Sequence, residues 1–304
     1  MGEGSPVMIR VGTASWTDKT LIESGWYPPE VARSSEGRLR YYAERFDTVE
    51  VDSTYYALPR REVAETWVAR TPPGFFFHVK AFSAFTGHGV EARALPRDLR
   101  ALLYDPERPG RVPQRELPKE LVEEAWTRFF YALEPLKKAG RLGYLLFQLA
   151  PWVRATSRSF AFLEHLAERT QGYWTAVEFR HPSWYAAWSR VRPILEAQGL
   201  IHVCVDAPAH PEAVPRVLEA THPEVAVLRC HGRNAETWKG PHRAAYERFN
   251  WRYSNEELKD LAQAARVLET QAKNVFVIFN NNYGTQGVDA AAELKCFLGQ
   301  LPHG

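Results

Sequence analysis

Trp174-Thr-Ala-Val-Glu-Phe-Arg-His-Pro-Ser-Trp184 joins an apolar, strand-forming run to a carboxylate, a guanidinium and an imidazole at Glu178, Arg180 and His181. A strand over 174–180 alternates its side chains, so Glu178 and Arg180 share one face while Val177 and Phe179 take the other. Packing alone does not put two opposite charges on one face of a buried strand. Such a strand runs into a polar site at its carboxyl end.

Outward from this stretch the same unit recurs. Strands are expected at 8–16, 48–54, 75–81 and 142–149 before it, and at 201–207, 225–232 and 274–281 after it. Helical spacing marks 39–46, 61–70, 121–138, 157–170, 189–198, 213–220, 255–271 and 288–298, with Ser157 as a capping residue and Gly199 as a stop. In the second strand Val49 and Val51 face one way, and Glu50, Asp52 and Thr54 the other. Eight apolar strands alternating with helices imply an α/β protein: a single (β/α)8 barrel of the TIM type, one domain over 1–304. A doubly wound open sheet would require a glycine-rich phosphate loop after the first strand, where Gly12 stands alone. Between the third strand and its helix, 83–118 is rich in Pro, Arg and Glu and has no sustained period. It is expected as a lid-like or mobile excursion, its plainer reading being a solvated surface loop.

Composition narrows the function classes. A net charge of +2 gives no global electrostatic basis for nucleic acid or an anionic membrane, so any anion preference must be local. Three widely spaced cysteines fit a reducing, cytoplasmic setting better than a disulfide framework. No stretch has the length and apolarity of a membrane span, and none reads as a secretory signal.

A barrel of this type carries its site at the carboxyl ends of the strands, and the polar residues collect there. In chain order they are Ser15 and Trp16, Glu50 and Asp52, His78 and Lys80, Gln148, Glu178 with Arg180 and His181, Asp206, Arg229 and His231, and Asn280 and Asn282. Lys80, Arg180 and Arg229 suit a phosphate, sulfate or carboxylate. Glu178 and Glu50 are candidate general acids or bases, with His78 and His231 as proton shuttles. Gln148 and Asn280 would orient the substrate, and Trp16, Asp52 and Asp206 complete the binding set. The purely structural alternative pairs Lys80 with Glu50, and Arg180 with Glu178 or Asp206.

These residues also carry a resemblance. Gly12-Thr-Ala-Ser-Trp16, the run from Phe46 to Tyr56, Thr71-Pro-Pro-Gly-Phe75, Phe77-His-Val-Lys80, Leu146-Phe-Gln148, the stretch from Ala176 to Trp184, Arg229-Cys-His-Gly232 and Phe279-Asn-Asn281 resemble the YecE-like proteins, the domain of unknown function seventy-two. The resemblance spans nearly the whole chain and implies a single TIM-type barrel without implying an activity. It favours Asn where this chain has Asp52, and a shorter connection than 83–118.

The expected function is therefore a metal-independent enzyme using acid/base chemistry on a small phosphorylated or carboxylated substrate, with no cofactor. A metal-dependent phosphoesterase or nuclease, by fold analogy with endonuclease IV, would ligate a divalent metal through Glu178, His181, Asp206 and His231. A non-enzymatic module binding nucleic acid or a metabolite is the third reading, supported by aromatics near the strand ends.

Overall fold

The computed structural model describes residues 8–211, 213–236 and 249–300, so the extreme ends of the single-domain span lie outside the described residues. Eight parallel strands close into a barrel: β1 Met8–Ala14, β2 Thr48–Val51, β3 Phe76–Lys80, β4 Leu142–Gln148, β5 Trp174–Glu178, β6 Leu200–Asp206, β7 Val225–Cys230 and β8 Asn274–Phe279. Each pairs with its sequence neighbours, and β1 pairs with β8, bringing Val11 opposite Val277 and closing the ring without an edge.

The crossovers carry the helices that the 3.6-residue spacing predicts. They are α1 Ser35–Ala43, α2 Arg61–Ala69, α3 Lys119–Lys138, α4 Ser157–Arg169, α5 Trp188–Gln198, α6 Asn255–Glu269 and α7 Gln286–Phe297. At α6 the cap is reciprocal: the Ser254 hydroxyl accepts from the Glu257 amide while the Glu257 carboxylate returns to the Ser254 amide. At α4 the cap is Thr156, whose hydroxyl accepts from the Ser159 amide, and Ser157 is the first helical residue rather than the cap. No helix forms over 213–220. Pro215 lies inside that span and supplies no amide, while Val214 is drawn against the barrel interior and Arg216 to Asp260.

Two apolar layers hold the barrel. Inside, Tyr144, Leu146, Ala176, Ile201, Val203, Val205, Val227 and Phe276 fill the lumen. The opposite faces of the strands pack against the helices through a larger cluster including Val11, Val49, Phe77, Phe147, Val177, Leu228 and Val277. Trp16, expected at the site, belongs to this outer layer. It is 7% exposed and meets Trp67 at 5.8 Å and Phe77 at 6.2 Å, both edge-on, so it packs behind the strands instead of lining the mouth.

The 83–118 excursion is folded, which corrects its reading as a solvated loop. Val90–Glu91 pairs antiparallel with Arg111–Val112, short helical turns flank them, and Phe85, Val90, Leu99 and Val112 are buried. Phe85 stacks on Trp126 of α3 at 3.8 Å between ring centres. A period is invisible in the sequence because each element is only two to four residues long.

Candidate functional site

Beneath the carboxyl end of the barrel, four side chains expected at the site form one buried network. Arg229 on β7 donates from Nη2 to Glu50 Oε1 at 2.5 Å and from Nε to Glu50 Oε2 at 3.0 Å, and its Nη1 donates to Glu178 Oε2. Glu178 Oε1 accepts from Gln148 Nε2 at 2.8 Å, Arg180 Nη1 at 2.9 Å and His231 Nε2 at 3.1 Å. Glu50, Glu178 and Arg229 are fully buried, and His231 is 1% exposed.

This wiring assigns protonation states. Burial alone would push Glu178 up, but Arg229, His231 and Arg180 hold it well below the usual carboxylate range, so it is ionised. With four donors on its two oxygens, it has little basicity left for catalysis. Asn280 Nδ2 lies 2.9 Å from His231 Nδ1, and its amide donating there leaves the proton on Nε2, facing Glu178. Burial lowers His231 to about 4, a neutral imidazole. Burial pushes Glu50 up to about 7 against the pull of Arg229, with the charge of Asp52 adding to the rise.

Above this floor opens a cavity of about 760 Å³. Its walls include Lys80, Arg180, Asp18, Asp52, His88, His181, Tyr55, Gln148, Asn280 and Asn282. Lys80 stands 3.8 Å from Asp52 and over the Tyr55 ring at 4.9 Å. The Asp52 oxygen nearest Lys80, Oδ1, is buried and accepts no hydrogen bond among the described residues. Burial, and then the neighbouring charge of Asp52, raise the Asp18 carboxyl to about 7.

Local sequence explains these placements. β2 ends at Val51, and Asp52 opens the short helix Ser53–Tyr56, which turns its carboxylate over the mouth and not along the strand. On β3, His78 and Lys80 share a face, but two residues separate them by roughly 6–7 Å of rise. Lys80 therefore reaches the cavity, whereas His78 stays in the lumen. Ser15, at the end of β1, takes φ +89°, uncommon for a residue other than glycine, as the chain turns toward Asp18. His88 is presented by the excursion between Gly87 and Gly89, at φ +88° and +84°. A Cβ at Gly89 would lie 2.2 Å from the Val112 carbonyl oxygen, so glycine is required there.

Several sequence expectations are corrected by this geometry. His78 is fully buried, hydrogen-bonded to Thr48 Oγ1 at 2.7 Å and stacked on Tyr144 at 3.8 Å, with no access to the cavity. Arg229 is spent on two carboxylates and cannot reach a ligand. Lys80 pairs with Asp52 instead of Glu50, while Arg180 does pair with Glu178, one of the two partners expected for it. Asp206 points into a separate cluster, bound by Arg233 at 2.8 Å, Tyr253 at 2.8 Å and Arg216 at 3.4 Å. The four residues named as metal ligands are therefore not gathered. Asp206 lies in that other cluster and His181 Nδ1 is engaged by Ser183, while Glu178 and His231 touch each other. Among the described residues no group of three or more His, Cys, Asp or Glu is placed to hold a metal ion.

Residues that the sequence reading passed over are Asp18 and, as a site member, His88. Asp18 follows the first strand by only four residues and could have been found as an acid on the first β-to-α loop. His88 lies in a segment without a period, and only its flanking glycines hint at a defined turn.

Fold and site together define a (β/α)8 barrel with a charged, partly walled cavity at the carboxyl ends of its strands and an ion-pair network as its floor. The chain belongs to the family described as Protein of unknown function DUF72, which matches residues 10–303. It is 31% identical over 293 residues to the UPF0759 protein YunF of Bacillus subtilis, covering 94% of this chain and 93% of that protein. Among solved structures it resembles a DUF72 family protein from Enterococcus faecalis V583, with TM-score 0.78 and 27% identity over 97% of this chain and 96% of the other. A DUF72 family protein from Thermotoga maritima MSB8 aligns with TM-score 0.74 and 29% identity, over 96% and 100%. Among the described residues no helix is long and apolar enough to cross a membrane, and the three cysteines are free.

Proposed function

We propose that the protein is an enzyme that moves a proton on a small phosphorylated or carboxylated substrate held in the central cavity. Lys80 and Arg180 attract the anion, Gln148 and Asn280 orient it, and Asp18 acts as the general acid or base. Asp52 accepts a hydrogen bond from the substrate. Glu50, Glu178, Arg229 and His231 keep the floor rigid and correctly charged, in place of the direct catalytic roles expected of the glutamates. The observation that carries this reading is the cavity wall itself, where the cations Lys80 and Arg180 stand with two acids, Asp18 and Asp52, the charge of Asp52 acting on the Asp18 carboxyl. Proton transfer through Asp18 requires no bound metal ion, and a reducing cytoplasmic setting completes the reading.

The test is a thermal-shift and calorimetric screen of phosphorylated and carboxylated metabolites against the wild type, Lys80→Met and Asp18→Asn. The reading expects anions to stabilise the wild type, Lys80→Met to weaken them, and Asp18→Asn to bind them yet lose turnover. Anion binding indifferent to Lys80 would overturn it.

A further inference from the structure

A second cavity of about 890 Å³ adjoins the first, and His88 and Leu149 line both. One wall is the excursion and the start of α3; the other is the connection from β4 to α4. Four cations, Arg115, Lys119, Arg154 and Arg158, stand on its walls with one acid, Glu123. That acid is already taken, since both its oxygens receive Arg169 at 2.6 and 2.7 Å. Among the described residues Arg115 pairs with Glu116 alone, at 3.8 Å, and Arg154 and Arg158 make no ion pair. Between them Trp152 leaves 62% of its surface in solvent, edge-on to His88 at 5.6 Å. Exposed tryptophans seldom serve packing, and one beside unpaired arginines has the composition of a site for a planar ring bearing phosphate.

Resting on the central-cavity reading above, we propose that this cleft is a second subsite for the same substrate, which is an elongated phosphate ester with a planar ring, of nucleotide type. The ring stacks on Trp152 and an inner phosphate lies against Arg154 and Arg158, while the terminal phosphate at the reacting end passes His88 to reach Lys80 and Arg180. The excursion thereby gains a role: it builds the wall that lengthens the site. The close approach of the two walls at Gly87, where a Cβ would come within 2.9 Å of Val153, fixes the passage between the cavities.

The test measures binding of inorganic phosphate and of a panel of nucleoside mono- and diphosphates by calorimetry, using the full chain and the variants Lys80→Met, Trp152→Ala and the double Arg154→Glu/Arg158→Glu. Residues 152, 154 and 158 are exposed, and circular dichroism with thermal melting checks that these variants fold. The proposal expects at least one nucleotide to bind tenfold or more tightly than phosphate. That advantage should fall at least tenfold in the double variant and in Trp152→Ala, while phosphate binding responds only to Lys80→Met. Nucleotides binding no better than phosphate, with phosphate still dependent on Lys80, would overturn the subsite and leave the central reading standing. Nucleotide binding that depends on Arg154 and Arg158 but not on Lys80 would overturn the shared-substrate proposal and leave an independent cleft, whereas phosphate binding indifferent to Lys80 would overturn the central anion site on which it rests.

Discussion

Arg229 meets Glu50 as a bidentate pair across the closed barrel, Nη2 to Oε1 at 2.5 Å and Nε to Oε2 at 3.0 Å, while its remaining amino group reaches Glu178. One guanidinium thus serves two fully buried carboxylates. Replacing it with methionine leaves Glu50, among the described residues, with the Tyr144 hydroxyl at 3.3 Å as its side-chain donor. Breaking a buried pair in this way costs about 3–5 kcal/mol. Urea unfolding of Arg229→Met near pH 8 should show that loss, with a smaller one near pH 5, where Glu50 can take up a proton. Arg229→Lys should recover little, because one ammonium cannot span both carboxylates in the same plane. A loss below about 1 kcal/mol at pH 8 would mean the floor is not held by this pair.

Asp18 makes a prediction of pH dependence. Its folded value of about 7 lies above the ordinary aspartate range, so the native state binds more protons than the unfolded chain between roughly pH 4 and 7. Stability from this group is therefore fully present below the unfolded value and is lost as pH rises through 7. Asp18→Asn should flatten the fall in melting temperature over that window, and a wild-type profile with no contribution from residue 18 would contradict the raised value.

His231 shifts the other way, and its sign follows. A folded value of about 4 against an ordinary value near 6.5 means the unfolded chain binds the extra proton between those limits. Its contribution to stability rises with pH across that window and is lost as pH falls toward 4. Nitrogen-15 NMR of labelled imidazoles should find His231 neutral at pH 5.5, protonated on Nε2 and bare on Nδ1. A midpoint near 6.5, or a proton on Nδ1, would break the Asn280–His231–Glu178 assignment.

How much of this could be read from the chain depends on what alternation encodes. The eight strands were legible because each is a short apolar run bounded by breakers. The helices were legible wherever they were long enough for a period, as in α3 and α6. The strand of the 174–180 stretch stops at Glu178, yet Arg180, two residues on, still brings its side chain to Glu178 at 2.9 Å. Alternation does not report depth. His78 and Lys80 are in phase, yet one is sealed in the lumen and the other lines the cavity. Nor does it say which charges neutralise each other, because Arg229 and Glu50 are 179 residues apart and meet only when the ring closes. Asp18 escaped notice because it lies on a loop, where no periodicity singles out a residue.

Asp206 tests this distinction between a strand-end position and membership of the site. Its carboxylate receives Arg233 Nη2 at 2.8 Å and the Tyr253 hydroxyl at 2.8 Å, and that hydroxyl in turn accepts the Gly232 amide at 2.9 Å. The cluster ties the end of β6 to the chain following β7 and to the residue just before the α6 cap. Asp206→Asn removes the charge that Arg233 and Arg216 share, although both keep Asp260, Arg233 at 2.7 Å and Arg216 at 2.6 Å. A loss of about 1–3 kcal/mol is expected for a buried, charge-assisted hydrogen-bond set with one partner weakened. Phosphate affinity at the central cavity should stay within twofold of wild type, since Asp206 is not among the described residues that line it. A variant of undiminished stability with tenfold weaker phosphate binding would return Asp206 to the substrate set, where the strand-end rule alone had placed it.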